Sequence, residues 1–375
     1  MVRITDKKRL FLILSRPAPL TGSGLDLAFQ DIDSEALYRF SLSNQVGGFV
    51  FQNLNTVGRC QDKLKKDLGA FYKNTALKNM VALKELLTAI NCLNQKDIPV
   101  VPLKGVFAAD TVLNDFGVYP SGDIDILVPE NRLWDAKEAL CEQGGYIPSQ
   151  DISQEDLVSD HYHLILIKRA VLEVHWNLVK RYFTIPADFW WESARPMSWN
   201  KVWVYDLSAE NQILYHSFRL FNHCFYPLRF FVLLGAIIDR HAEQIDWELV
   251  LTTADAFQMK KLVLFSLYLT HDLLGTRIPK SCIPLPGAGY RIFRSWVLSG
   301  IFSGVRHKHF KMMLYTALLI HPQRLGKIFL ARLFPSKGEL RMRYNLPKGS
   351  KKIYLYYIFN PILLFLRSEK KETHA

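Results

Sequence analysis

The run Gly122-Asp123-Ile124-Asp125-Ile126-Leu127-Val128 narrows what this chain can fold into more than any other stretch. Its apolar residues favour a buried strand. Side chains alternate along a strand, so Asp123 and Asp125 leave one face while Ile124 and Ile126 enter a core behind them. Two carboxylates side by side on a rigid strand repel each other, and a hard divalent cation such as Mg²⁺ relieves the repulsion. Taken alone, the same pattern also describes an acidic, solubilising strand end. An EF-hand loop is excluded, because it needs an oxygen ligand and a Gly where Leu127 and Val128 stand. A glycosyltransferase that grips the diphosphate of a sugar nucleotide through a metal remains open.

The flanking residues add context. Ile98 to Leu103 reads as a short buried strand, and Lys104-Gly105 opens a helical pattern from Val106 to Leu113. A strand that turns into a helix at a glycine presents free backbone N–H groups, which makes Lys104-Gly105 a candidate phosphate seat. It lacks the longer glycine frame of a Walker loop. Asn131 is expected to cap a helix from Arg132 to about Gln143, ended by Gly144-Gly145. His161 to Ile167 and Val171 to Trp176 read as strands joined near Lys168-Arg169-Ala170, with Glu173 and His175 on one face of the second. The order is strand, turn, helix, Asp-x-Asp strand, helix, and a strand carrying a third acid.

With Leu103-Lys104-Gly105, Gly122-Asp123-Ile124-Asp125-Ile126-Leu127-Val128 and Glu173-Val174-His175-Trp176 in this order, the chain resembles the uncharacterised nucleotidyltransferase family of the DNA polymerase β-type superfamily. The likeness extends through Leu207-Ser208-Ala209-Glu210, Pro227-Leu228-Arg229-Phe230 and Ile245-Asp246-Trp247. It continues to Phe334-Pro335-Ser336 and Arg341-Met342-Arg343-Tyr344 near the end. The resemblance implies an α+β fold, a small mixed polymerase β-like sheet flanked by helical regions. It also implies that Asp123, Asp125 and Glu173 hold two Mg²⁺ ions, or Mn²⁺, with Glu173 as ligand or base. Lys104, Gly105 and Gly122 would contact the nucleotide. The implied reaction moves a nucleoside monophosphate from an NTP to an acceptor and releases diphosphate; two ions about 4 Å apart can clamp the entering and leaving oxygens. There are two departures. Tyr119 stands where the family commonly has Arg, leaving Lys104 or Arg169 to supply that charge, and Lys-Gly stands where many relatives carry Gly-Ser. The competing functions are a nucleotide-binding scaffold without turnover, a toxin–antitoxin-type protein, and an Asp-x-Asp glycosyltransferase.

His161 and His163 face the same way and His175 lies on the next strand, so a three-histidine metal site is geometrically available. Mg²⁺ prefers oxygen, so His163 and His175, together with Tyr119, are read as site-lining residues. His216 and His223, seven apart on one helix face, read first as packing or capping residues, and the family resemblance gives a role near the cleft equal weight.

A net charge of +12 over 375 residues favours an anionic partner: nucleotide, nucleic acid, glycan or membrane surface. A protein side chain, sugar phosphate, peptide, RNA end or small metabolite would each serve as acceptor. The five scattered cysteines, without a Cys-x-x-Cys, suit a reduced, cytoplasmic setting. Lys7 to Leu14 is too short for a signal peptide before Arg16-Pro17 and reads as an amphipathic first helix. Phe230 to Ile238 reads as a buried helix, and no stretch reaches the roughly 20 apolar residues of a transmembrane span. The basic, aromatic tail around Ile353 to Leu366, expected to break at Asn360-Pro361, could lie on an anionic membrane or dock on the protein's own helices. Three regions result: a helical 1–95, an α/β core 96–185, and a helical 186–375 with loops at Pro279 to Gly289 and Pro335 to Gly338.

Overall fold

The computed structural model describes residues 5–17, 33–57, 61–149, 163–180, 183–283, 287–303, 315–335, 337–344, 346–347 and 350–366. The chain begins with α1 (Asp6–Leu14), α2 (Ser34–Ser43), α3 (Gly47–Val57) and α4 (Asp62–Asn94). The Asp33 carboxylate caps α2 by accepting the Ala36 N–H at 2.9 Å. Next come β1 (Val101–Pro102), α5 (Val106–Thr111), β2 (Ile124–Leu127), α6 (Leu133–Glu142), β3 (Ile147–Pro148), β4 (His163–Ile167) and β5 (Val171–His175). These strands form one five-stranded mixed sheet in the order β1-β2-β5-β4-β3, in which only β2 and β5 run parallel.

Two hydrophobic cores meet at this sheet. Ile124, Ile126 and Val128 point into one, with Leu172, Val174 and the second half of α4 (Leu86, Ala89, Ile90, Leu93). Leu127 and Val101 point the opposite way, into a larger core built from the first half of α4 and the later helices. The 33 residues of α4, about 50 Å of helix at 1.5 Å per residue, therefore brace both cores. The alternation of β2 also sends Asp123 and Asp125 to the face that looks toward the helical core.

The all-helical reading beyond Ile185 is corrected. After a short helical turn, α7 (Phe189–Glu192), the chain forms a hairpin of β6 (Arg195–Trp199) and β7 (Val202–Asp206). Asn200 and Lys201 both take positive φ, 48° and 67°, as a tight two-residue hairpin turn requires. The hairpin joins the sheet core: the Tyr205 N–H donates to the Val100 carbonyl at 2.8 Å, while Val202 and Val204 are buried and Trp203 is exposed. Helices α8 (Ala209–Asn222), α9 (Arg229–Arg240), α10 (Trp247–Ala256), α11 (Lys260–Leu274) and α12 (Ala288–Ser303) follow. Residues Phe230 to Ile238 of α9 are all buried, as their unbroken apolar run suggests.

Other boundaries shift for local reasons. Asn131 does not cap α6. Pro129, at φ −58°, starts a 3₁₀ turn over Glu130–Arg132 that contains Asn131, and α6 begins after it. His161 lies outside the described residues. The last helices are α13 (Pro322–Leu333), α14 (Lys337–Tyr344) and α15 (Lys352–Leu366). α14 starts inside the stretch expected to be loop. α15 runs through Asn360-Pro361, because Asn360 is tied down on both sides: its amide donates to Leu333 O at 2.8 Å and its carbonyl accepts from the Tyr344 hydroxyl at 2.9 Å. Ile353 and Asn360 of α15 are buried, whereas Tyr354, Leu355, Ile358, Phe359 and Ile362 are exposed. Among the described residues no helix is long and apolar enough to cross a membrane.

The loop that leads into the Asp-x-Asp strand is fastened to α4 by two side chains: the Tyr72 hydroxyl donates to the Asp115 carboxylate at 2.8 Å, and Asn79 holds the loop further along. The Asn79 amide, fully buried, donates to Phe116 O at 2.7 Å and Tyr119 O at 2.8 Å. Asn79→Ala strands both carbonyls, and each unsatisfied buried group costs about 1–3 kcal/mol. The variant should lose about 2 kcal/mol in urea unfolding; a loss within experimental error would show that the loop is held by other contacts.

Candidate active site

Register brings the acids together. Asp125 on β2 lies beside Glu173 on the parallel β5, and His175 on β5 lies opposite His163 on β4. Asp123, Asp125 and Glu173 each offer an oxygen within 4.8 Å of the others; so do the ligand atoms of His163, Glu173 and His175. Asp125 is the buried member, 3% exposed, while Asp123, Glu173 and both histidines are half-buried.

A buried carboxylate needs compensating charge. Asp125 receives it from two sides. The Lys104 ammonium lies 2.8 Å from Asp125 Oδ2 and 3.2 Å from Asp123 Oδ2, and the His175 Nε2–H donates to Asp125 Oδ1 at 3.0 Å, with Glu173 Oε2 at 3.4 Å. Burial alone would raise the Asp125 pKa, but Lys104 and His175 outweigh it and hold the acid well below the carboxylate range. The same balance raises Lys104 above its ordinary value against the pull of burial. His175 is raised as well: burial works against its proton, and Asp125 and Glu173 retain it. Glu173, which burial would raise, is held low chiefly by its bond to His175.

Lys104 thus performs, within the chain, the task of a cation between Asp123 and Asp125. Three converging carboxylates, one nearly fully buried and already gripping a cation, are a donor set that suits a hard divalent ion. Asp123, Asp125 and Glu173 fit that role.

The turn below Lys104 requires glycine. Gly105 has φ +61°, and a Cβ there would collide with Ser121 Oγ. The Ser121 hydroxyl in turn donates to the Asp123 carbonyl at 2.7 Å, so the Lys104–Gly105 turn and the start of β2 are locked together. At Gly122 a Cβ would meet nothing within 4 Å, leaving its exposed backbone open to approach.

Sequence reasoning missed what α8 brings. Arg219, 6% exposed, stacks its guanidinium 4.8 Å from the Phe230 ring and 5.8 Å from the Tyr215 ring, and donates to His216 Nδ1 at 3.3 Å. It has no ion pair with an acid among the described residues. Burial, with the Arg219 and Lys104 charges, pushes the His216 pKa well down, so His216 is a neutral acceptor. The available signal was a lone Arg in the apolar helical run Ile213 to Phe221. Tyr119 is buried, with the Arg229 guanidinium 5.5 Å from its ring centre, and Arg229 donates to Pro120 O at 2.6 Å. Arg219 and Arg229 therefore place guanidinium charge around position 119 from the helical region. Arg169 lies exposed on the β4–β5 turn. His223 packs its ring 4.6 Å from Phe230 at the end of α8, the structural role its position suggested. Beside the site, a cavity of about 250 Å³ is lined by Leu103, Asp206, Gln212, Tyr215 and His216, among others.

A family model described as an uncharacterised nucleotidyltransferase matches residues 30–275. The chain belongs to that family. The matched span includes Lys104–Gly105, the Asp-x-Asp strand, Glu173 and all of α8, so the acidic triad lies inside the part of the chain that the family model covers. The residues at Phe334 to Tyr344 lie beyond it. No curated protein and no solved structure matches the chain.

The charge pattern fixes how stability of the metal-free protein depends on pH. Asp125 is depressed, so its contribution is complete above its unfolded value near pH 4 and is lost as the pH falls through the carboxylate range toward the folded value. His175 is raised, so its contribution is complete below about pH 6.5 and is lost as the pH rises through its folded value. Asp125 partners both slopes. Asp125→Asn should cost about 3 kcal/mol at neutral pH, because it uncovers buried charge, and should flatten both limbs of the melting-temperature profile measured in chelator. Limbs as steep as in the wild type would show that other groups carry them.

Proposed function

We propose that this nucleotidyltransferase moves a nucleoside monophosphate from an NTP to an acceptor oxygen, with divalent ions held by Asp123, Asp125 and Glu173. The supporting observation is the convergence of all three carboxylates on adjacent parallel strands. A glycosyltransferase Asp-x-Asp has no need of the third acid.

In the reaction the acceptor oxygen bonds to the α-phosphorus, the bond from that phosphorus to the bridging oxygen breaks, diphosphate leaves, and the acceptor gives up its proton. The bound ions neutralise the triphosphate and activate the acceptor hydroxyl. Glu173 would serve as a metal ligand or as the base that takes the acceptor proton. With the carboxylates holding ions, the Lys104 ammonium that now pairs with Asp123 and Asp125 would be free to pair with the triphosphate. Gly122, exposed and with open space where a Cβ would be, leaves backbone open for the same phosphates. Arg219 adds a fixed positive field from α8, and its stacking on Phe230 and Tyr215 lets it keep its charge while buried. The protein's share of catalysis is positioning and preorganised charge.

The test is thermal stability with ATP, GTP, CTP, UTP and UDP-sugars, with and without Mg²⁺, for the wild type and Asp123→Asn. A ligand at 100 times its dissociation constant adds about 2.7 kcal/mol to the native state. At least one Mg²⁺–NTP should raise the wild-type melting temperature by several degrees and lose most of that effect in Asp123→Asn. Stabilisation by a UDP-sugar alone would reassign the site to glycosyl transfer, and stabilisation by none would overturn nucleotide binding at the triad.

A further inference from the structure

The face that carries the acids also carries a second, chemically different set of donors. His163 and His175 are direct cross-strand partners on β4 and β5, their rings 5.0 Å apart, and Glu173 lies on the same face two residues before His175. One ligand atom from each lies within 4.8 Å of the others. All three side chains are half-buried and rise from paired strands, so their spacing is set by the sheet ladder.

Two imidazoles and a carboxylate form the donor set of an open three-ligand metal site. Mg²⁺ discriminates against it, since Mg²⁺ seeks oxygen and dehydrates reluctantly, whereas Mn²⁺, Co²⁺ and Zn²⁺ accept imidazole nitrogen. We infer that His163, Glu173 and His175 bind a first-row transition ion next to the all-oxygen position of Asp123, Asp125 and Glu173, with Glu173 bridging the two. The chain thus builds two unlike cation positions: one hard, and one borderline. The proton that His175 Nε2 now donates to Asp125 and Glu173 is the occupant that such an ion replaces.

This extends the nucleotidyl-transfer reading through Glu173 but rests on the histidine pair, so the two fail separately. Co²⁺ serves as the probe, because its visible absorption reports nitrogen ligation directly and needs no substrate. The full-length chain is titrated with Co²⁺ as wild type, His163→Gln and Asp123→Asn, each first checked for native folding by its melting curve. The wild type and Asp123→Asn should develop the ligand-field bands. His163→Gln should bind Co²⁺ at least about 10–100-fold more weakly, a loss that even removal of a supporting partner brings to a metal site. Zn²⁺ should displace the Co²⁺ bands and Mg²⁺ in excess should not. Equal binding by His163→Gln and wild type, or loss of the bands in Asp123→Asn with retention in His163→Gln, would overturn the inference. Should His163→Gln fail to fold, displacement of wild-type Co²⁺ bands by Mg²⁺ as readily as by Zn²⁺ would overturn it equally. Absence of Mg²⁺–NTP stabilisation alongside intact Co²⁺ bands would instead count against nucleotidyl transfer alone.

Discussion

The structure is organised around negative charge that has been taken out of water. Asp125 is almost completely buried between two hydrophobic cores, with Asp123 and Glu173 close by. Like charges at that spacing in a poorly solvated setting are tolerated only when cations answer them. In the chain as it stands the answer is Lys104 on one side and His175 on the other. The central placement of β2 and β5, the glycine turn under Lys104 and the buried Arg219 of α8 all serve that balance, and in the function proposed here metal ions would take over the cationic role at the carboxylates.

That site needs a rigid frame, which the helices supply. α4 belongs to both cores, and through Asn79 it pins the loop that enters the Asp-x-Asp strand. α8 presents Tyr215, His216 and Arg219 along a stretch buried on nearly every side. A buried guanidinium is retained here by aromatic stacking and by a neutral histidine acceptor, so its charge is available to the site without being consumed by a partner acid. A cavity of about 250 Å³ opens between β1, the β6–β7 hairpin and α8, lined by Tyr215 and His216 of that helix.

Much of this was legible in the sequence where local rules and tertiary structure agree. The alternation of Asp123, Ile124, Asp125 and Ile126 set both the face of the acids and the core behind them, and Glu173 with His175 followed by the same period. Gly105 was readable as the glycine at which a strand turns into a helix, and its φ of +61° and close approach to Ser121 give the physical reason. The β6–β7 hairpin was hidden because its turn, Asn200-Lys201, lacks the usual glycine and its strands carry Arg195, Pro196 and Trp203. Arg219 was hidden because helical periodicity marks a buried face but says nothing about what that face touches. The continuity of α15 through Pro361 depends on Asn360 binding Leu333 and Tyr344, contacts made by chain segments distant in sequence.

The most direct test of the account is a crystal structure with Mg²⁺ and a non-hydrolysable NTP. The account predicts metal density among Asp123, Asp125 and Glu173, triphosphate oxygens over the Gly105 turn, and the Lys104 ammonium moved from the carboxylates to a phosphate. A nucleotide bound elsewhere, with Lys104 still paired to Asp123 and Asp125, would contradict it.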